Sequence, residues 1–237
     1  MDVEASKRAV REQIWETLDR AGAVNPPGAS GHIPSFVGAD TAANRLAALE
    51  VWQDALVIKA NPDKAQLPVR TQALRDQKLL YMAVPAIAAT NPFYLLDPAR
   101  HGIDAAASKR AAEVARTVGP AEMRPVDIVV CGTVAVDHRG VRIGKGAGYS
   151  DIEMGLLAEA SLLGPSTTIV TTVHELQVVD HDLPETEHDF RVDLIITPDE
   201  VIRCGPSPRP AGIIWEHLAA EKIQSIPALA ARKSQET

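Results

Sequence analysis

Over the first twenty residues the apolar side chains fall on one side of a helical wheel. Val10, Ile14 and Leu18 recur every four positions, with Val3 and Trp15 flanking the same side. This spacing predicts an amphipathic helix over Ser6–Ala21, with Ser6 as its N-cap. Between Gly22 and Pro34 (GAVNPPGASGHIP) the periodicity gives way to turn-forming residues, which predicts a loop. A single helix before it is too little to be a domain, so the loop reads as an excursion within one fold. Thr41–Leu49 is an alanine-rich helix. The apolar run Ala55–Ala60 (ALVIKA) reads as a buried strand, Val69–Gln77 as a helix, and Leu79–Val84 as a strand closed by Pro85. Lys109–Val118 is a short helix. Val126–Cys131 (VDIVVC) carries β-branched residues on both faces, as a central strand does, and Val134–Asp137 continues it.

Further on, Asp151–Leu163 reads as a helix stopped by Gly164, followed by strands at Thr167–Val173 and Arg191–Thr197. An apolar segment, Gly212–His217, leads into a tail with little periodicity beyond Lys222. Strands separated by helical stretches predict a mainly parallel sheet covered on both faces, a three-layer α/β/α fold. There is no internal repeat. The 237 residues suit one α/β unit over 1–237, with the first helix and the tail included.

Composition narrows the function classes. With 46% hydrophobic residues the chain has ample material for a core. A formal charge of −7 leaves no global basic footprint and argues against nucleic acid as the main partner. Two cysteines, Cys131 and Cys204, are too few for a disulfide framework or a thiolate zinc site. The charged N-terminus lacks the apolar core of a signal peptide, and no apolar run reaches membrane-spanning length. A cytoplasmic setting is the default expectation, and oligomeric state stays open.

The chemistry concentrates in Arg142–Asp151, RIGKGAGYSD. Gly144, Gly146 and Gly148 alternate with Lys145, Ala147 and Tyr149. Glycine at every second position lets backbone N–H groups approach and converge on an anion. The helix that follows adds its N-terminal dipole, and Arg142 and Lys145 add formal charge. The spacing matches neither a Walker A loop nor the dinucleotide GxGxxG. A flexible surface turn is the competing reading of the glycines alone.

The longer stretch VDIVVCGTVAVDHRGVRIGKGAGYSDIE resembles the signature of the 5-formyltetrahydrofolate cyclo-ligase family, also called 5,10-methenyltetrahydrofolate synthetases. That signature is a hydrophobic strand, a small-residue turn, an Ala-Phe-Asp-like triplet, and Gly-x-Arg-Leu-Gly-x-Gly-x-Gly-Tyr-Tyr-Asp. Here the triplet is Ala135-Val136-Asp137, followed by Gly140, Arg142 and the loop. Downstream, Gln177-Val178-Val179-Asp180, His188-Asp189 and Ile195-Ile196-Thr197 resemble further family segments. Upstream, Lys7-Arg8-x-x-Arg11 resembles its basic first helix. The loop also resembles that of the methenyltetrahydrofolate-synthetase-domain-containing branch, which likewise reads Arg-Ile-Gly-Lys-Gly-x-Gly.

The resemblance implies a fold similar to the ribose-phosphate isomerase and CoA-transferase group. It also implies a reaction in which ATP phosphorylates the formyl oxygen of 5-formyltetrahydrofolate, a folate nitrogen closes the ring, and phosphate leaves. Carried over, Lys7, Arg11, Arg142, Ile143, Gly144, Lys145, Gly146, Ala147, Gly148, Tyr149 and Ser150 would bind ATP. Lys145, Arg142 and Tyr149 would serve catalysis, while Asp151 and Asp189 would hold Mg2+. Without the resemblance, Lys7 and Arg11 read first as a solvated helix face, and Asp151 reads equally as a helix N-cap. The chain departs from the pattern at two places. Tyr-Tyr-Asp-Arg becomes Tyr149-Ser150-Asp151-Ile152, and the folate-gripping glutamate expected near Asn61–Val69 has no match in NPDKAQLPV. A binding or regulatory module that keeps the nucleotide pocket, or an enzyme with another substrate, is therefore the rival expectation.

Other clusters offer less. His174, His181 and His188 recur every seven residues among carboxylates, but Pro184 breaks the helix that would align them as metal ligands. His188 alone reads as an active-site candidate. Trp15, Trp52 and Trp215 read as core residues, and Cys131 as a buried, inert thiol.

Overall fold

Strand side chains alternate between two hydrophobic clusters, one on each face of a central sheet. In the computed structural model, residues 2–205 and 207–234 are described. The strands are β1 (Val57–Ala60), β2 (Leu79–Ala83), β3 (Phe93–Leu96), β4 (Thr117–Val118), β5 (Val126–Cys131), β6 (Ala135–Asp137), β7 (Arg142–Ile143), β8 (Leu163–Thr172), β9 (Val178–Val179), β10 (Leu194–Ile196) and β11 (Val201–Arg203). Eight of them form one sheet in the order β11-β10-β8-β5-β1-β2-β3-β4. Its centre, from β10 to β2, is parallel, and β3, β4 and β11 close the edges in antiparallel pairs. A second sheet, β7-β6-β9, stands apart from it.

Ile58, Leu80, Ile128, Val130 and Ile196 face one cluster. They pack with α1 (Val3–Arg20), α2 (Ala39–Ala47), α3 (Glu50–Asp54), α4 (Leu67–Arg75) and α5 (Ser108–Val114). Val57, Tyr81, Val129, Cys131 and Ile195 face the other cluster, with Met154 and Leu157 of α6 (Tyr149–Glu159). Each such fully buried side chain contributes about 2 kcal/mol. The result is the three-layer α/β/α arrangement expected from the alternation of strands and helices. Two further helices, α7 (Ala220–Ser225) and α8 (Pro227–Lys233), follow. No helix among the described residues is long and apolar enough to cross a membrane.

Several boundaries differ from the sequence expectation. Helix α1 starts at Val3 with Asp2, not Ser6, as N-cap, its carboxylate accepting from Glu4 N at 3.1 Å. Residues 134–137 do not prolong β5; they turn away to build the smaller sheet, because Gln177 Nε2 donates to both Thr133 O and Val134 O. The helix expected over 109–118 ends at Val114, and Thr117–Val118 pairs with β3 instead. Gly164 does not stop a helix: α6 ends at Glu159, and Leu163–Gly164 already belong to β8. The aperiodic tail folds as α7 and α8, whose apolar residues pack on α6 rather than forming a core of their own.

Candidate functional site

In open α/β sheets a ligand crevice forms outside the carboxyl ends of the strands, where successive connections run to opposite sides. Here β1 leads to β2 on one side, while β5 leads to β8 and β10 on the other. Asn61 and Asp63 follow β1, and Gly132 follows β5. All three line a cavity of about 470 Å3, within the ordinary range for small-molecule sites.

The glycine loop is delivered to this cavity by a hairpin. Asp137, buried at its turn, accepts hydrogen bonds from Arg139 N and Val141 N through Oδ1, and from Leu183 N through Oδ2. Gly140, at φ +83°, could not carry a side chain: a Cβ there would lie 2.2 Å from Val192 O. The hairpin returns as β7 and places Arg142 at the cavity floor. Beyond it, Gly146 and Gly148 adopt φ of +96° and +69°, and Gly148 is the left-handed N-cap of α6. Helix α6 thus opens at Tyr149, and its first N–H groups face the cavity without a side-chain cap. Asp151 lies inside the first turn, which corrects its reading as an N-cap.

All the residues that the sequence singled out as binding or metal-holding line this one cavity. Lys7 is 4% exposed, so the solvated-face reading fails for it. Its Nζ donates to Asp189 Oδ2 at 2.5 Å and to Thr186 Oγ1 at 3.2 Å. Arg11 Nε donates to Gly144 O at 2.8 Å. Arg142 is buried, stacks over the Phe190 ring at 4.5 Å, donates to Gly132 O, and pairs with Asp151 at 3.4 Å. Its Nε is buried without a hydrogen-bond partner among the described residues. Lys145 is more exposed and lies 3.9 Å from Asp63.

The carboxylates differ in character. Burial pushes the Asp151 carboxyl above its ordinary range; Arg142 opposes this and Asp189 adds to it. Burial acts the same way on Asp189, but hydrogen bonds from Lys7 and Thr186 outweigh it and hold that carboxyl below the usual range. No group of three or more His, Cys, Asp or Glu side chains suited to a metal occurs among the described residues. Asp151 and Asp189 nevertheless fit Mg2+, which takes one or two carboxylates and completes its shell with phosphate oxygens and water. A cation there would relieve the buried charge on Asp151.

Sequence reasoning missed a second polar layer. Lys59, in an otherwise apolar strand, forms a buried ion pair with Glu153 of α6. Asn61 Nδ2 donates to Ser150 Oγ at 2.9 Å and to Glu153 Oε2 at 3.3 Å. Burial pushes the Glu153 carboxyl up, with the Lys59 ammonium opposing. A lysine in the middle of a buried strand was the available signal, since such a charge needs a partner. Of the histidines, His188 lines the cavity, whereas His174 caps a single helical turn at Glu175–Gln177. Cys131 is fully buried, and burial raises its thiol pKa, as befits an inert cysteine.

A profile of the 5-formyltetrahydrofolate cyclo-ligase family matches residues 3–198. The methenyltetrahydrofolate synthase domain-containing protein of Bos taurus is 36% identical over 241 residues, covering 98% of this chain and 63% of that protein. Its Homo sapiens counterpart is 34% identical over 244 residues, covering 99% and 63%. The chain therefore spans about three fifths of the length of the curated relatives it matches. The NMR structure of Aquifex aeolicus 5,10-methenyltetrahydrofolate synthetase shares the fold, with a TM-score of 0.54 and 19% identity over 92% of this chain and 100% of that one.

Proposed function

This chain belongs to the 5-formyltetrahydrofolate cyclo-ligase family, and from that premise we propose that it is an ATP- and Mg2+-dependent ligase converting 5-formyltetrahydrofolate to 5,10-methenyltetrahydrofolate. The observation that carries the reading is the convergence of the glycine loop, the open N-terminus of α6 and five basic side chains on one cavity. Phosphoryl transfer asks a protein chiefly to position phosphates and to stabilise charge that spreads over their oxygens. Backbone N–H groups of the loop and of Tyr149–Asp151 would cradle the triphosphate of the substrate ATP. Lys145, more exposed than Lys7 or Arg142, would follow the transferring phosphoryl group. Lys7 and Arg142 are committed to Asp189 and Asp151 and would act by fixing those carboxylates as well as by their own charge. Tyr149 would wall the reacting groups. Mg2+, held by Asp151 with Asp189, would neutralise charge between phosphate oxygens.

The test is calorimetric titration with ATP·Mg2+, followed by 5-formyltetrahydrofolate, with ADP release read in parallel. Saturable nucleotide binding and folate-dependent ADP release are expected. Saturable binding without folate-dependent turnover would leave only the nucleotide part standing.

One observation favours a second reading, in which the same nucleotide chemistry serves another acceptor. Ser150 and Asn61, at the two places where the chain departs from the family pattern, are hydrogen-bonded to each other. With Lys59 and Glu153 they form one hydrogen-bonded group, of which Asn61, Ser150 and Glu153 line the cavity.

A further inference from the structure

The matched family region ends at residue 198, yet residues beyond it reach the cavity. The segment from Gly212 onward is seated on α6 in a way that constrains both partners. Gly155 lies in the middle of that helix, where glycine costs about 1 kcal/mol relative to alanine. A Cβ on it would stand 2.8 Å from Ile213 Cγ1 and 3.1 Å from the Gly212 carbonyl, so the missing side chain makes room for the returning backbone. Ile213 N donates to Glu159 Oε1 at 2.9 Å, and Arg232 pairs with the same carboxylate. Ile152 and Leu156 of α6 pack with Ile226 and Leu229 in a separate apolar cluster. Ile152 stands where the family pattern has arginine, so the helix gives up a cation there and gains a seat for the segment.

What the segment carries to the cavity is Lys222. Its Nζ donates to Ala147 O at 2.8 Å and lies 3.7 Å from the centroid of the Tyr149 ring. His217 adds a second tie, its Nδ1 3.3 Å from Nδ1 of His188, next to Asp189. The charge pattern gives Lys222 its meaning. Lys7, Arg142 and Lys145 each face a carboxylate, namely Asp189, Asp151 and Asp63. Arg11 and Lys222 form no carboxylate ion pair among the described residues, and each instead donates to a loop carbonyl, Gly144 O and Ala147 O. Two cations without a carboxylate ion pair among the described residues thus bracket the glycine loop, one from each end of the chain.

We infer that Lys222 is an anion-contacting residue of this site, and that the segment 212–225 is part of its binding machinery. The inference rests on the phosphate-binding reading above and assigns Lys222 to the same phosphate. An ammonium has three donors, so it can keep Ala147 O and turn another N–H toward a phosphate oxygen. Lys222 also lines an adjoining compartment of about 160 Å3, together with Asp151, His188, His217 and the apolar Ile152 and Ile213.

The test uses the full chain with Lys222→Met, which keeps an unbranched stem over Tyr149 without charge, and Lys222→Arg. The probes are inorganic triphosphate and ATP·Mg2+, titrated calorimetrically at several salt concentrations, with the melting temperature of each unliganded protein alongside. Lys222→Met should weaken both ligands about tenfold, the scale of one charged hydrogen bond, and flatten the salt dependence. The unliganded melting temperature should hold, and Lys222→Arg should recover most of the affinity. Wild-type affinity in Lys222→Met overturns the inference. So does a loss that comes with a lowered melting temperature and no recovery in Lys222→Arg, which would make Lys222 a clamp on the loop. Failure of the wild-type chain to bind either probe removes the phosphate-binding reading itself, a result distinct from both.

Discussion

Lys7 and Asp189 are 182 positions apart, and their contact ties the first helix to the far wall of the cavity. Because the folded Asp189 carboxyl is held below its ordinary value, its contribution to stability is fully present above the unfolded aspartate range and is lost as pH falls through the lowered value. Asp189→Asn should lower stability at neutral pH by about 3 kcal/mol, the low end for breaking a buried pair, since the Asp189 side chain is still 12% exposed. It should also flatten the acid limb of the stability curve. Denaturant titrations at several pH values check both, and an unchanged midpoint with an unchanged acid limb would rule the tie out as a stabilising contact. Readability at this scale followed contiguity. Gly144, Lys145, Gly146 and Gly148 were legible because one loop holds them all. Lys7 and Asp189 came only through family resemblance, because a basic residue on an amphipathic helix looks the same whether its partner is water or a carboxylate. Asn61, Glu153 and Lys222 were not legible at all, since their partners come from elements far away in the chain.

Helix α6 is displaced from its sequence reading at both ends, and the cause at its start is backbone conformation. The left-handed Gly148 lets the helix open at Tyr149, one residue after the last loop glycine, which turns Asp151 inward to Arg142. The central strands were read correctly because burial on both faces leaves continuous apolar runs. The edge strands β4 and β11, two and three residues long, leave no such run, whereas β3 does leave one in Phe93–Leu96 (FYLL) that the sequence reading misses. Gly155 supplies the test at this scale. Replacing a mid-helix glycine by alanine ordinarily stabilises a helix by about 1 kcal/mol. Here the new methyl would meet Ile213 and the Gly212 backbone, so Gly155→Ala should instead lower the melting temperature and loosen the C-terminal segment. Limited proteolysis should then cut within 212–225 faster than in the wild type. A raised melting temperature with unchanged cleavage would show that the segment is not held by α6.

At the scale of the whole molecule, the cavity is assembled from stretches that the sheet alone does not hold together: α1, the turn after β1, the glycine loop, the 186–189 turn and the C-terminal segment. A ligand that touches all of them should behave as a cross-brace. At a hundredfold excess over Kd, any ligand selective for the folded state adds about 2.7 kcal/mol, so the size of the stabilisation says nothing about which elements it engages. The distribution does. Amide hydrogen exchange with and without ATP·Mg2+ should show added protection in α1 around Lys7 and Arg11, in 142–151, and in 212–225 together. Those regions come from separate stretches of the chain and would become coupled through one bound phosphate chain. Protection confined to 142–151 would mean that the glycine loop binds alone, and that the contacts from the two ends of the chain are architecture rather than recognition. Protection in α1 and the loop without 212–225 would keep the family's site but exclude its extension, because the five cations would then not act on one ligand.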